Sequence, residues 1–204
     1  MKLRILLAAL LLVTGTVLLA DPGSAPPTPE SYKIDPVHST VIFGIRHLNV
    51  STFFGRFNDI EGAYTFDEKS KTLAGVELSI KAASVDTNSD RRDGHIRSAE
   101  FLDVEKHPAI TFKAGRIKRT GTDLFKVAGD VTLHGVTHPF TGEVRYIGAG
   151  KDPWGGYRSG FETSFTIKRS DHEMKGLMGA LGDEVRILMG IEGIRVEPKK
   201  DGDG

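Results

Sequence analysis

The sequence predicts an all-β domain with one short helix among its strands. Three observations carry this. Apolar and polar residues alternate at a period of two through most of residues 32–196, as antiparallel strands with one buried face do. Residues 91–112, RRDGHIRSAEFLDVEKHPAITF, break that period and read as a helix followed by a resumed strand. Six glycines, Gly44, Gly62, Gly129, Gly142, Gly160 and Gly190, stand inside alternating runs, where they permit bends and close backbone approach.

Ahead of this domain, Lys2 and Arg4 precede an apolar run from Ile5 to Ala20. The run is short for a membrane span of about 20 residues, so residues 1–20 read as a secretory signal cleaved after Ala20, with an uncleaved membrane anchor as the alternative. Residues 21–30, DPGSAPPTPE, form an extended Pro-rich linker. The folded domain occupies residues 31–198, and KKDGDG at 199–204 is a polar tail. A chain of 204 residues is about one domain.

In order along the chain, Val41, Phe43 and Ile45 mark the first clear strand, and strands are expected at Phe53–Phe57 and Ile60–Phe66. Val76, Leu78 and Ile80 mark the next. In the helix, Asp90 or a neighbour is placed to cap, with Asp93 completing a partial capping box. Ile96, Ala99, Phe101 and Leu102 gather on one helical face, and Pro108 requires the helix to stop before it. Strands follow at Ile110–Lys118, Phe125–Leu133, Phe140–Ile147, Phe161–Ile167 and Val185–Ile191. Hairpin turns fall at 67–70, 119–123 and the Gly-rich 148–156. About eight or nine such strands make a sandwich or a closed barrel, and the in-strand glycines favour the barrel, with the helix as lid or plug.

The chain has no cysteine, which excludes disulfides, a thiol nucleophile and lipid attachment through cysteine. With the signal removed, 25 basic residues face 27 acidic ones, so nucleic acid is not an expected partner. His134 and His138 are four apart, but Gly135 and Pro139 argue against a helix that would aim both at one ion. No metal and no cofactor is expected. There is no GxSxG, Gly148-Ala149-Gly150-Lys151 fails as a phosphate loop because Arg145 and Asp152 occupy its defining positions, and the glycines of GLMGALG lack a βαβ setting. Eleven phenylalanines, with Met174, Met178 and Met189, remain. On periodicity alone they either pack a core or line a cavity.

YKIDPVHSTVIFGIRHLNVSTFFGRF followed by EGAYTF resembles the opening of the YceI-like family of bacterial exported lipid-binding proteins. RRDGHIRSAEFLDVEKHPAITF is similar to that family's helix motif, and FKVAGDVTLHGVTHPF to its next strand-turn-strand. GFETSFTIKRSD followed by DEVRILMGIEG resembles its closing strands. The resemblance implies an extended lipocalin-like antiparallel β-barrel of about eight strands, with one short helix near residues 91–104. It implies a long apolar pore for a polyisoprenoid, a quinone or a comparable long-chain amphiphile, and a periplasmic or secreted location, with no stable membrane insertion after signal cleavage. A homodimer is compatible with it.

On that reading the tunnel wall comprises Phe43, Ile45 and Phe57 from the opening strands, Tyr64, Leu78 and Ile80 from the next pair, and Phe112, Val131 and Phe140 from the middle of the chain. Phe161, Phe165, Met174, Ile187 and Met189 complete it. Arg46, His47, Lys168, Arg169 and His172 are expected at the rim, to meet a head group. The family often follows its Arg-Ser-Asp with an aromatic residue and Gly, whereas His172-Glu173 stand here and make the rim more polar. No catalytic set is needed: each buried CH₂ stabilises by about 0.8 kcal/mol, which offsets an immobilisation cost of several kcal/mol. The expected function is non-catalytic binding, transport or sequestration of the lipid. The alternatives are an enzyme acting on such a lipid and a packed stress-response barrel without ligand.

Overall fold

The computed structural model describes residues 29–197. The expected signal, most of the linker and the polar tail lie outside the described residues. Among the described residues, no helix is long and apolar enough to cross a membrane.

The strands are β1 (Glu30–Ile34), β2 (Thr40–His47), β3 (Ser51–Phe57), β4 (Ile60–Asp67), β5 (Thr72–Lys81) and β6 (Val85–Asp86) before the helix α1 (Asp90–Arg97). After it come β7 (Ala109–Arg119), β8 (Leu124–Leu133), β9 (Val136–Lys151), β10 (Tyr157–Lys168) and β11 (Leu181–Arg195). Every pairing between these strands is antiparallel.

The order β1-β4-β5-β7-β8-β9-β10-β11 closes on itself because β11 pairs back with β1. This is the expected closed antiparallel barrel. Its closure depends on the length of β11. Gly193–Arg195 pair with Ile34–Tyr32 of β1, while Leu181–Gly190 pair with His47–Thr40 of β2. β1 and β2 thus share one edge of β11, separated by the excursion at 35–39. β3 and β6 extend the sheet beyond β2, toward the helix.

The in-strand glycines act where backbones crowd. A side chain at Gly129 would collide with the backbone of Lys113, beside the register shift between Ala114 and Arg116. Gly193 is covered by the ring of Tyr64. Gly148 and Gly150 belong to β9, which continues to Lys151, so the expected Gly-rich turn is confined to 152–156. Asp152 organises it, its carboxylate accepting the N–H groups of Trp154 (2.9 Å) and Gly156 (2.8 Å).

The helix is shorter than expected and ends at Arg97. Ser98 turns to extended backbone, and its hydroxyl donates to the carbonyl of His95 at 2.7 Å, a local bond that competes with helix continuation. Ser89 occupies the N-cap position without a side-chain bond. Asp93 forms no capping box; it accepts the N–H of Thr87 at 2.9 Å and the Thr87 hydroxyl. Arg97 fastens the helix to the preceding segment, donating to the carbonyls of Ala83 and Val85, both at 2.8 Å. Phe101 and Leu102 are buried as expected, but by the turns that follow the helix.

At the end opposite the helix the interior is filled. Tyr32, Tyr64, Phe66, Phe125, Tyr146 and Phe161 form an aromatic plug, with Tyr32 stacked on Tyr64 at 5.2 Å and Phe66 edge-on to Phe161 at 5.1 Å. The space above this plug is different in kind.

An apolar tunnel as the candidate functional site

Above the plug the barrel encloses a cavity of about 400 Å³, within the range of small-molecule sites. Period-two alternation places most of the strand residues in the wall: in β11, Val185, Ile187, Met189 and Ile191 face inward, while Arg186 is exposed. These inward positions alone line about 20 Å of strand, at roughly 3.3 Å per residue.

Phe43 and Ile45 of β2, Phe57 of β3, Tyr64 of β4, Leu78 and Ile80 of β5, Phe112 of β7, Val131 of β8 and Phe140 of β9 all line the cavity. So do Phe161 and Phe165 of β10, Ile187 and Met189 of β11, and Met174 from the turn after β10. Tyr64 and Phe161 belong to both wall and plug, and so form the floor. The upper part has a second, smaller core of Val85, Leu102, Leu133 and Met174 under the helix segment.

The polar wall residues gather chiefly at the helix end. His47, Arg92, His95 and Arg169 reach the cavity there. Arg92 stacks on Phe53 at 4.2 Å and donates to the Thr87 carbonyl at 2.6 Å. His95 Nε2 lies 2.7 Å from Glu100 Oε2, and its ring meets Phe101 edge-on at 5.0 Å. Arg92, His95 and Phe101 were absent from the expected wall although their segment was expected as a lid. Periodicity assigns no inward face to so short a helix and its irregular exit.

The expected rim divides. His47 lies at the mouth and is exposed. Arg46 is exposed, donates to the Asn49 carbonyl at 3.2 Å and does not reach the cavity; Lys168 is exposed and outside the wall. Arg169 is buried, and its guanidinium donates to the carbonyls of Gly182 (2.8 Å), Met174 (2.8 Å), Gly176 (2.6 Å) and Leu181 (3.2 Å). It braces the loop 173–182, and burial lowers its pKa. His172 is also buried, with Nδ1 at 3.1 Å from the Val136 carbonyl, and burial lowers its pKa. Arg169 and His172 are inward braces, because the 3-10 turn at 169–172 folds them under the loop.

The barrel wall has a seam. β9 and β10 pair only from Tyr157 to Thr163, so residues 164–168 bond only to β11. Side chains span the gap: Phe140 meets Phe165 at 4.5 Å, and the ring of His138 meets that of His172 at 5.1 Å. At the mouth, Leu177 contributes to the wall and is also exposed; Leu48, exposed as well, donates its N–H to Ala180 at 2.7 Å. Exposed apolar surface is therefore continuous with the tunnel.

A closed antiparallel barrel whose interior is part plug and part apolar tunnel defines a class of small cavity-bearing barrels. Within that class the chain belongs to the YceI-like family: the YceI-like domain matches residues 32–193. A UPF0312 protein of Pectobacterium carotovorum is 42% identical over 186 residues, covering 91% of this chain and 96% of that protein. A UPF0312 protein of Pseudomonas aeruginosa is 43% identical over 191 residues, covering 93% and 94%. Among solved structures, the YCEI protein of Campylobacter jejuni aligns with a TM-score of 0.68 at 27% identity, over 74% of this chain and 90% of that one. BcnA of Burkholderia cenocepacia aligns at 0.69 and 21% identity, covering 78% and 98%. A polyisoprenoid binding domain of Saccharophagus degradans aligns at 0.63 and 17% identity, covering 82% and 99%. At such identities the last two show a shared fold.

Proposed function

We propose that this barrel binds one long-chain polyisoprenoid or similar amphiphilic lipid, tail first, and carries or sequesters it in the periplasm without turning it over. The observation that carries the proposal is the tunnel: a hydrocarbon wall from Val185 to Ile191, an aromatic floor at Tyr64 and Phe161, and polar side chains concentrated at the helix end. An apolar tail gains about 0.8 kcal/mol for each CH₂ it buries, and the mouth groups His47, Arg92 and His95 are placed to set the head group. The polyisoprenoid binding domain that shares the fold supports the ligand class. The apolar run at Ile5–Ala20 supports export.

The test is native mass spectrometry of the full chain exported and purified from the periplasm of a bacterial host, followed by organic extraction. One long-chain lipid per barrel, released unchanged after prolonged incubation, is the expected result. A barrel that carries none and takes up neither a polyprenol nor a fatty amide saturably would overturn the proposal. Conversion of the bound lipid would replace it with the enzyme reading.

A further inference from the structure

We propose that Asp103, His107 and His134 form a binding site for a divalent transition-metal ion, zinc fitting best, at the helix end of the barrel and outside the tunnel wall. One ligand atom from each of the three lies within 4.8 Å of the other two. A tetrahedral ion with bonds of about 2.0–2.1 Å holds its ligand atoms about 3.4 Å apart, so side-chain rotation has at most about 1.4 Å to close. All three residues are half-buried, and none of them lines the tunnel.

Two separate segments build the site. The turns after α1 supply Asp103 and His107, placed together because the His107 N–H donates to the Asp103 carbonyl at 2.8 Å. The β8–β9 hairpin supplies His134, whose ring meets that of His107 at 4.9 Å. His134 Nδ1 lies 3.1 Å from the carbonyl of His172. Only a protonated nitrogen bonds a carbonyl, so Nδ1 carries the hydrogen and Nε2 keeps the lone pair; metal-binding histidines are oriented by this kind of outer bond. Next to it, a side chain at Gly135 would run into the His107 ring, so the glycine keeps open the space that the ring occupies.

The neighbouring groups do not share this arrangement. His138 packs against His172, and His172 Nδ1 is held by Val136. At the opposite end of the barrel Asp35, His38 and Glu192 also converge, but the Arg158 guanidinium already bonds both carboxylates. At Asp103 the competing cation is the exposed Lys106, with Nζ at 2.9 Å from Oδ2. Two imidazoles and one carboxylate favour zinc, copper or nickel over magnesium or calcium, and a water fills the fourth position. Leu102 and Leu133, each adjacent in sequence to a ligand, both line the tunnel, so a bound ion ties the helix segment to the barrel beside the mouth.

The test is calorimetric titration of zinc chloride into the untagged, chelator-stripped full chain, with cobalt absorption as a second readout. One ion per chain and a tetrahedral cobalt spectrum are expected. His107→Gln and His134→Gln should each weaken binding at least 10-fold, on the order of what loss of a metal-orienting group costs. His138→Gln should leave it unchanged, and Lys106→Ala should tighten it. Melting of each chelated variant establishes that it folds, and zinc should raise Tm in the parent but not in His107→Gln. No saturable uptake, or uptake that survives both His107→Gln and His134→Gln, would overturn the proposal.

Discussion

The hydroxyl of Tyr64 donates to the carbonyl of Ser159 at 3.0 Å and lies 2.8 Å from the Ser159 hydroxyl, 95 residues away in sequence, where both residues are buried. Burial pushes the Tyr64 hydroxyl up to about 12, so it stays a neutral donor across the physiological range. The pair joins β4 to β10 across the barrel, under the tunnel floor. The ring of Tyr64 closes the tunnel above while its hydroxyl satisfies polar groups below.

Tyr64→Phe should keep the floor and lose the bond. It should cost roughly 1–3 kcal/mol, the range for a buried hydrogen bond whose partner is left behind, with lipid affinity little changed. Gly193→Ala should push the Tyr64 ring and cost about 1–3 kcal/mol, and less in a Tyr64→Leu background. Urea unfolding of Gly193→Ala, Tyr64→Leu and their double variant checks this; equal costs of Gly193→Ala in both backgrounds would show that the ring is not what the glycine accommodates.

Wall and plug should answer differently to mutation. Phe165 is half-buried and faces the cavity beside Phe140; Phe165→Trp, like Phe43→Trp, fills tunnel space and should weaken lipid uptake more than it lowers stability. Phe66 is fully buried in the plug and does not line the cavity, so Phe66→Ala should cost about 3–5 kcal/mol. Thermal melts beside lipid titrations separate the two. Lost stability with intact binding in Phe165→Trp would make that position core.

The cavity-facing positions were legible where a strand shows its inward face at a period of two: Leu78, Ile80 and Ile187 each stand between polar or exposed neighbours and each line the cavity. The pattern does not say how high the filling rises, since Phe66 in the plug and Phe165 in the tunnel have the same alternation. Departures from the pattern were hidden for a local reason. Arg169 and His172 read as rim residues that meet a head group, and only the inward 3-10 turn reveals that the carbonyls of Gly182, Met174, Gly176 and Leu181 satisfy Arg169. His134 was legible as near His138 in sequence, but its ring partner is His107, across a hairpin.

Acid should destabilise the barrel through Asp35. Burial pushes its carboxyl up, but bonds from His38, Arg158 and the Val37 N–H more than reverse this and hold it at about 2. Its folded pKa lies below the ordinary 3.8, so the stabilisation is fully present above about pH 4 and is lost as pH falls toward 2; the shift corresponds to about 2 kcal/mol. Arg158→Met removes the shared cation from Asp35, Asp152 and Glu192. That variant should be less stable at pH 7 and lose less between pH 5 and pH 2 than the parent. Urea midpoints across this range measure it, and parallel pH profiles would show that Arg158 does not hold the Asp35 carboxyl down.

Tail-driven binding has a signature in chain length. The tunnel wall is hydrocarbon from Ile191 up to Val185, and its polar groups lie mainly at the mouth. Affinity for a series of saturated amphiphiles with one head group should therefore rise with each added CH₂ by at most about 0.8 kcal/mol. The rise should stop once the tail reaches the floor at Tyr64 and Phe161, because further carbons remain in water at the mouth. Changing the head group at fixed tail length should shift the whole series without altering its slope, while Arg92→Ala should reduce that shift. Filling the lower tunnel by Val127→Phe should bring the plateau to shorter chains, since its wall position adjoins the plug. Calorimetric titration of the series measures slope and plateau together. An affinity that tracks head-group charge and ignores tail length would move the site to the rim and leave the tunnel without a role.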